Sequence, residues 1–201
     1  SLHCAAAKGY VDLAKVLIQN GAHVNAGDEK KYTALHFTIR YGHVDVAKVL
    51  IQNGADVNAV NKRKETALHW AALRGRTNVV KLLIRNGADV NGLHYRVKNL
   101  CLRLAALCRD VDVVKVLIQN GADVNVAARS QRTALSNAVN KHGVFPPHAT
   151  VHTTLHVICA GARIIEDKHA LRGDQTKLLR HIGGRLAFIQ RGERFITSKH
   201  S

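Results

Sequence analysis

VLIQNGADVN at Val49–Asn58 returns unchanged at Val116–Asn125, and its variants stand at Val16–Asn25 (VLIQNGAHVN) and Leu82–Asn91 (LLIRNGADVN). The glycines Gly21, Gly54 and Gly87 are 33 residues apart, and Gly121 follows after 34. A fixed period of this length signals a solenoid whose units bury their apolar faces only against one another. A second landmark, T-A-L-H, occupies Thr33 to His36 and Thr66 to His69, with a clipped form at Ser1, Leu2 and His3 and a decayed one at Thr133 to Ser136. A second set of glycines, Gly9, Gly42 and Gly75, precedes the first set by twelve residues.

Each period reads as two short antiparallel helices. In the second unit, Thr33 stands where an N-cap hydroxyl satisfies the orphan N–H groups of a helix running through Leu35, Phe37 and Ile39. Gly42 ends that helix. The stretch Val44–Gln52 carries Val44, Val46, Ala47, Val49, Leu50 and Ile51, an apolar face wide enough for a second helix buried on most of its circumference. Gly54 stops it in the left-handed conformation that a C-terminal glycine supplies. The polar residues after Asn58 suit an exposed turn.

The T-A-L-H landmark, the glycine spacing and the G-A-D-V-N ending resemble the ankyrin repeat. The resemblance covers residues 1 to about 127 as four units and decays through a fifth. It implies an all-α solenoid of stacked helix pairs, with hairpin loops projecting as fingers and the first helices lining a concave surface. Units are expected near 1–32, 33–65, 66–99 and 100–132, with a degenerate unit at 133–162 and a terminal repeat, cap or tail at 163–201. The fourth unit departs from the pattern. Leu100, Cys101, Leu102 and Arg103 replace T-A-L-H and Arg109 replaces the mid-repeat glycine, so a distorted start to its first helix is expected. In the fifth, Pro146 and Pro147 are expected to open the second helix after a longer loop.

Composition narrows the function. The chain has 201 residues, 46% of them hydrophobic, and 30 Lys+Arg against 14 Asp+Glu, a formal surplus of 16 positive charges. That content can bury a core and excludes wholesale disorder. No apolar run reaches the length of a membrane span. The absence of Met leaves room for residues ahead of Ser1. Four Cys without a C-x-x-C pair suit a reducing compartment, so an intracellular protein, cytoplasmic or nuclear, is expected.

Catalysis finds no support: there is no phosphate-binding glycine loop, no dinucleotide fingerprint and no paired carboxylates at a plausible cleft. No enzyme activity and no cofactor are expected. His148, His152 and His156 recur every four residues, which would place three imidazoles on one helix face and suit zinc. Aligned on Gly161, however, His156 falls in the slot of Val16, Val49 and Val116 and faces the core, so no metal is expected. His3, His36 and His69 belong to the repeat and should bond loop backbone between units. Cys101 and Cys108 read as buried apolar filler. Asn58, Asn91 and Asn125, each preceded by an Asp two residues back and a Leu eight back, resemble substrates of an asparaginyl hydroxylase, although local side-chain bonds that hold the turn account for them as well.

The resemblance implies that hairpin tips and the two residues before the mid-repeat glycine face a partner. These positions hold Lys30, Tyr32, Arg40 and Tyr41 in the second unit and Lys62, Arg63, Leu73 and Arg74 in the third. Arg96, Arg129, Arg132 and Lys141 follow in the fourth and fifth. Lys31 and Lys64 take the place of the usual turn glycine. Phe37 and Trp70 share one slot on the first helices and should pack between units. The reading is a monomeric interaction adaptor whose basic concave face meets an acidic protein, with phosphate binding to nucleic acid as the alternative and no membrane partner.

Overall fold

The computed structural model describes residues 1–91, 101–108 and 110–125. Among them are eight helices and no named strand: α1 (Leu2–Lys8), α2 (Val11–Gln19), α3 (Ala34–Tyr41), α4 (Val44–Gln52), α5 (Ala67–Leu73), α6 (Thr77–Arg85), α7 (Cys101–Cys108) and α8 (Val111–Gln119). They pair as α1 with α2, α3 with α4, α5 with α6 and α7 with α8. The first helices stack on one another as one layer, and among the second helices α2 packs on α4 and α6 on α8. The chain is an all-α repeat solenoid.

Local chemistry sets the boundaries. At the start of α3, the N–H of Thr33 donates to Nδ1 of His36 at 3.1 Å and the Thr33 side chain accepts from the N3 backbone, a capping box with histidine in the usual glutamate position. Thr66 and His69 repeat it at α5. At the end of α4, Gly54 adopts φ 84°, its N–H donates to the carbonyl of Ile51, and the N–H of Ala55 donates to the carbonyl of Leu50. That is a Schellman motif, and only the left-handed backbone, cheap for glycine, allows it. The same pair of bonds closes α2, α6 and α8, which explains why N-G-A recurs after every second helix.

Burial follows the stack. Leu35, Ile39, Leu50, Leu68, Leu83 and Leu117 are among the largest fully buried side chains, each contributing roughly 1.5–3 kcal/mol of transfer free energy. Small residues fill the seams: Ala5, Ala6, Ala71, Ala72, Ala105 and Ala106 are closed off from solvent, so successive first helices can approach closely. Cys101 joins this seam as apolar filler, and burial pushes its thiol up to about 12. Cys108 does not. It is exposed, and its thiol donates to the carbonyl of Leu73 at 3.1 Å, because the slot it occupies, shared with Tyr41 and Arg74, lies at the exposed end of the first helices. α7 begins in register with α3 and α5, at the residue after the Thr33 and Thr66 slot. The chain just before it, and the fifth unit and terminal segment, lie outside the described residues.

Candidate partner-binding surface

The hairpin after α2 is a tight turn in which Asp28 N–H donates to the carbonyl of Tyr32, and the Asp28 carboxylate accepts from the N–H groups of Lys30 and Tyr32. Asn61 does the same work one unit on, accepting from Arg63 and Glu65. Lys31 and Lys64 sit at the matching turn position with φ 61° and 62°, the left-handed region that glycine normally fills. The two tips are tied together, since the N–H of Lys62 donates to the carbonyl of Lys30 at 2.9 Å. Lys30, Lys31, Lys62, Arg63 and Lys64 are all exposed, and the tie gathers them at adjoining fingertips.

Not every predicted cation is free to meet a partner. Arg63 pairs through Nη2 with Glu65 at 3.2 Å, and the Glu65 carboxylate, which is buried, also accepts from Nδ2 of Asn61. Part of the Arg63 charge is therefore spent inside its own hairpin. Tyr32 is half-buried, with its ring 5.7 Å from His36, 5.9 Å from Phe37 and 6.3 Å from Trp70, so it is chiefly a packing residue. Phe37 packs edge-on against His3 at 5.7 Å. Phe37 and Trp70 thus bridge neighbouring units, as their shared slot predicts.

Arg40 is held differently. Its guanidinium carbon lies 5.2 Å from the Trp70 ring centroid and 5.8 Å from that of Tyr41, within cation–π range of both rings. Tyr41 is 52% exposed, and Leu73 in the next unit is 37% exposed. Arg74, also exposed, caps α5. Arg40, Tyr41, Leu73 and Arg74 therefore form one continuous stretch of the first-helix layer. Sequence reasoning missed two members of it: Trp70, which seats Arg40, and Leu107, 37% exposed in the slot of Leu73 one unit on. Counting 34 residues from Leu73 finds Leu107, but the loss of the marker glycine at Arg109 hides the position.

The repeat residues couple the units. His3 Nε2 lies 2.9 Å from the carbonyl of Ala26 and 3.1 Å from that of Tyr32, and His36 Nε2 donates to the carbonyl of Glu65. The asparagines reach further than their turns. Asn58 Nδ2 donates to the carbonyl of Gly87 at 2.9 Å while its Oδ1 accepts from Asp89 N–H at 2.8 Å. Asn25 makes the same bridge to Gly54 and Asp56, and Asn91 makes it to Gly121 and Asp123. The bonds within the turn come from Asp56, Asp89 and Asp123, which accept from the N–H groups of Asn58, Asn91 and Asn125.

Arg96, Arg129, Arg132, Lys141, His148, His152 and His156 lie outside the described residues. Among the described residues no cluster of His, Cys, Asp and Glu is arranged to hold a metal ion, and no helix is long and apolar enough to cross a membrane. No curated protein matches the sequence. A family model described as ankyrin repeats, in three copies, matches residues 2–94 and 59–128, which together make up more than half of the chain. Such repeats generally mediate protein–protein interaction and are typically not enzymes. With its capping boxes, glycine stops and stacked helix pairs, the chain belongs to the ankyrin-repeat family.

Proposed function

We propose that this chain is a non-enzymatic intracellular adaptor that presents a basic concave surface to an acidic protein partner. The surface comprises Lys30, Tyr32, Arg40, Tyr41, Lys62, Arg63, Leu73 and Arg74, and Arg96, Arg129, Arg132 and Lys141 extend it at the level of sequence. The observation that carries this reading is the seating of Arg40 over Trp70 and Tyr41 beside the exposed Leu73 and Arg74. An aromatic-backed arginine loses little side-chain entropy on binding, and Arg and Tyr are favoured hot-spot residues at protein interfaces. The fingertip lysines add long-range attraction for an acidic partner and raise its association rate.

The test is capture from cell lysate at low and high salt with the unaltered chain and with Arg40→Glu plus Arg74→Glu, each with and without nuclease. The expected result is a partner that survives nuclease, weakens with salt and is lost in the double variant. Undiminished capture by the double variant would move the interface off the first-helix layer. Loss on nuclease treatment would replace the acidic protein with nucleic acid.

A further inference from the structure

The exposed large apolar side chains among the described residues fall into two groups. Tyr10, Leu13 and Val16 belong to the first helix pair, where α2 has no described unit stacked on its outer side; the same slots in α4, Val46 and Val49, are buried against α2. In the second group, Tyr41 and Leu73 have no such origin, while Leu107 lies on α7, whose outer neighbour is outside the described residues. Leu73 lies on α5, which is flanked by α3 on one side and α7 on the other, yet it remains exposed. Leu73 and Leu107 occupy one slot in consecutive units, and Tyr41 stands on the helix before them. Trp70 and Leu104, both half-buried, line the neighbouring slot on α5 and α7. The result is an apolar strip crossing three first helices, with Arg40 and Arg74 set into it and the fingertip lysines beyond. At Tyr41 and Leu73 the exposure persists with described helices on both sides, so it is not an unfinished end, and contiguous apolar exposure of this kind suits an interaction surface.

We infer that the segment received here is an acidic amphipathic helix lying across α3, α5 and α7, with apolar side chains seven residues apart and carboxylates on its flank. This rests on the reading of the same layer as the partner surface and names the partner's form. Stacked helices are spaced about 8–10 Å apart, and a helix advances about 10.5 Å in seven residues. Apolar residues at that interval therefore fall in step with Leu73 and Leu107, one per unit. The surface is built from the sides of helices whose backbone groups are already bonded within themselves. It therefore offers no backbone edge for an extended segment to add to, whereas a helix arrives with its own N–H and C=O groups satisfied. Charge completes the match, since Arg40 and Arg74 interrupt the strip where a carboxylate flank would lie.

The experiment uses two peptides of about three heptads, equal in composition and rich in Glu. One carries its leucines seven residues apart on one face, and the other has them distributed around the helix. Binding to the full chain is measured by fluorescence anisotropy, and repeated with Leu73→Ser plus Leu107→Ser and with Arg40→Glu plus Arg74→Glu. Because Leu73 and Leu107 are exposed, thermal melting should confirm that the serine variant stays folded. The expected result is binding about tenfold tighter for the one-faced peptide, with that preference lost in the serine variant. Equal binding of both peptides, reduced only by the charge reversals, overturns the helix and leaves the acidic-partner reading standing. Binding by neither peptide also overturns the helix, while the acidic-partner reading is decided separately by the lysate capture.

Discussion

His36 donates from Nε2 to the carbonyl of Glu65 at 3.1 Å across 29 residues of chain, while its Nδ1 accepts from the N–H of Thr33. One neutral imidazole thereby caps its own helix and pins the next hairpin. Burial lowers the pKa of His36 from 6.5, and the bond to the Glu65 carbonyl only partly opposes that shift. Protonation would put a second hydrogen on the ring and remove the acceptor that Thr33 needs. In the unfolded chain His36 gains its proton near pH 6.5, so between there and the lower folded value the unfolded state holds more protons. Stability should therefore be full above about pH 6.5 and fall as the pH drops below it, by at most about 1.4 kcal/mol per pH unit for this one group. Thermal melts from pH 8 to 5 check this, and His36→Gln should flatten part of the slope while lowering stability at pH 7.

Val16 and Val49 occupy the same place in the same repeated string, yet Val16 is 51% exposed and Val49 only 8%. Val49→Lys should cost about 2–4 kcal/mol through an unpaired charge in the seam between α2 and α4. Val16→Lys should stay within about 0.5 kcal/mol of the unaltered chain. Urea denaturation of both variants is the measurement, and equal losses would contradict the stacking described.

Lys31 and Lys64 hold a left-handed backbone that disfavours any residue with a Cβ. Lys31→Gly and Lys64→Gly should each stabilise the fold by up to about 1 kcal/mol, the relief of strain being partly offset by glycine's larger entropy loss on folding. Both substitutions remove a fingertip cation, so they should slow association with the proposed acidic partner. Melting temperature should rise as the association rate falls, two readouts moving in opposite directions.

The Asn58 amide joins the second unit to the third through Gly87 and Asp89. Asn58→Ala deletes both bonds and should cost about 1–2 kcal/mol. The loss should show in hydrogen exchange as weakened protection of α5 and α6 relative to α3 and α4, because coupling between adjacent units is what repeat stacks depend on. The bridge accounts for the asparagine without modification. Incubation with an asparaginyl hydroxylase should accordingly leave the intact mass without an added oxygen at Asn58, Asn91 or Asn125.

Much of the fold is legible because its signals are local. Thr33 and Thr66 announce helix starts, Gly54 and Gly87 announce stops, and the apolar spacing of Val44–Gln52 marks a buried helix. The surface was less legible, because whether a cation is free depends on neighbours distant in sequence or on a carboxylate whose burial no pattern reveals. Arg63 looks like Lys62 in a list of tip residues until Glu65 is seen holding it. Arg40 looks like any inner-helix arginine until Trp70, thirty residues on, is seen beneath it. Cys108 resembles Cys101 in sequence and differs from it entirely in exposure.

The sequence by itself determines the unit: the period, the two helices, their caps and the turn geometry all follow from dihedral preferences and hydrogen bonds within a few residues. Only the tertiary structure decides which copy of an identical residue is buried, which amide reaches the next unit and where an apolar strip stays open. The reason is physical. In a repeat stack each unit covers its neighbour, so the burial of Val16 or Val49 and the exposure of Leu73 belong to the arrangement of units rather than to the string that encodes each one.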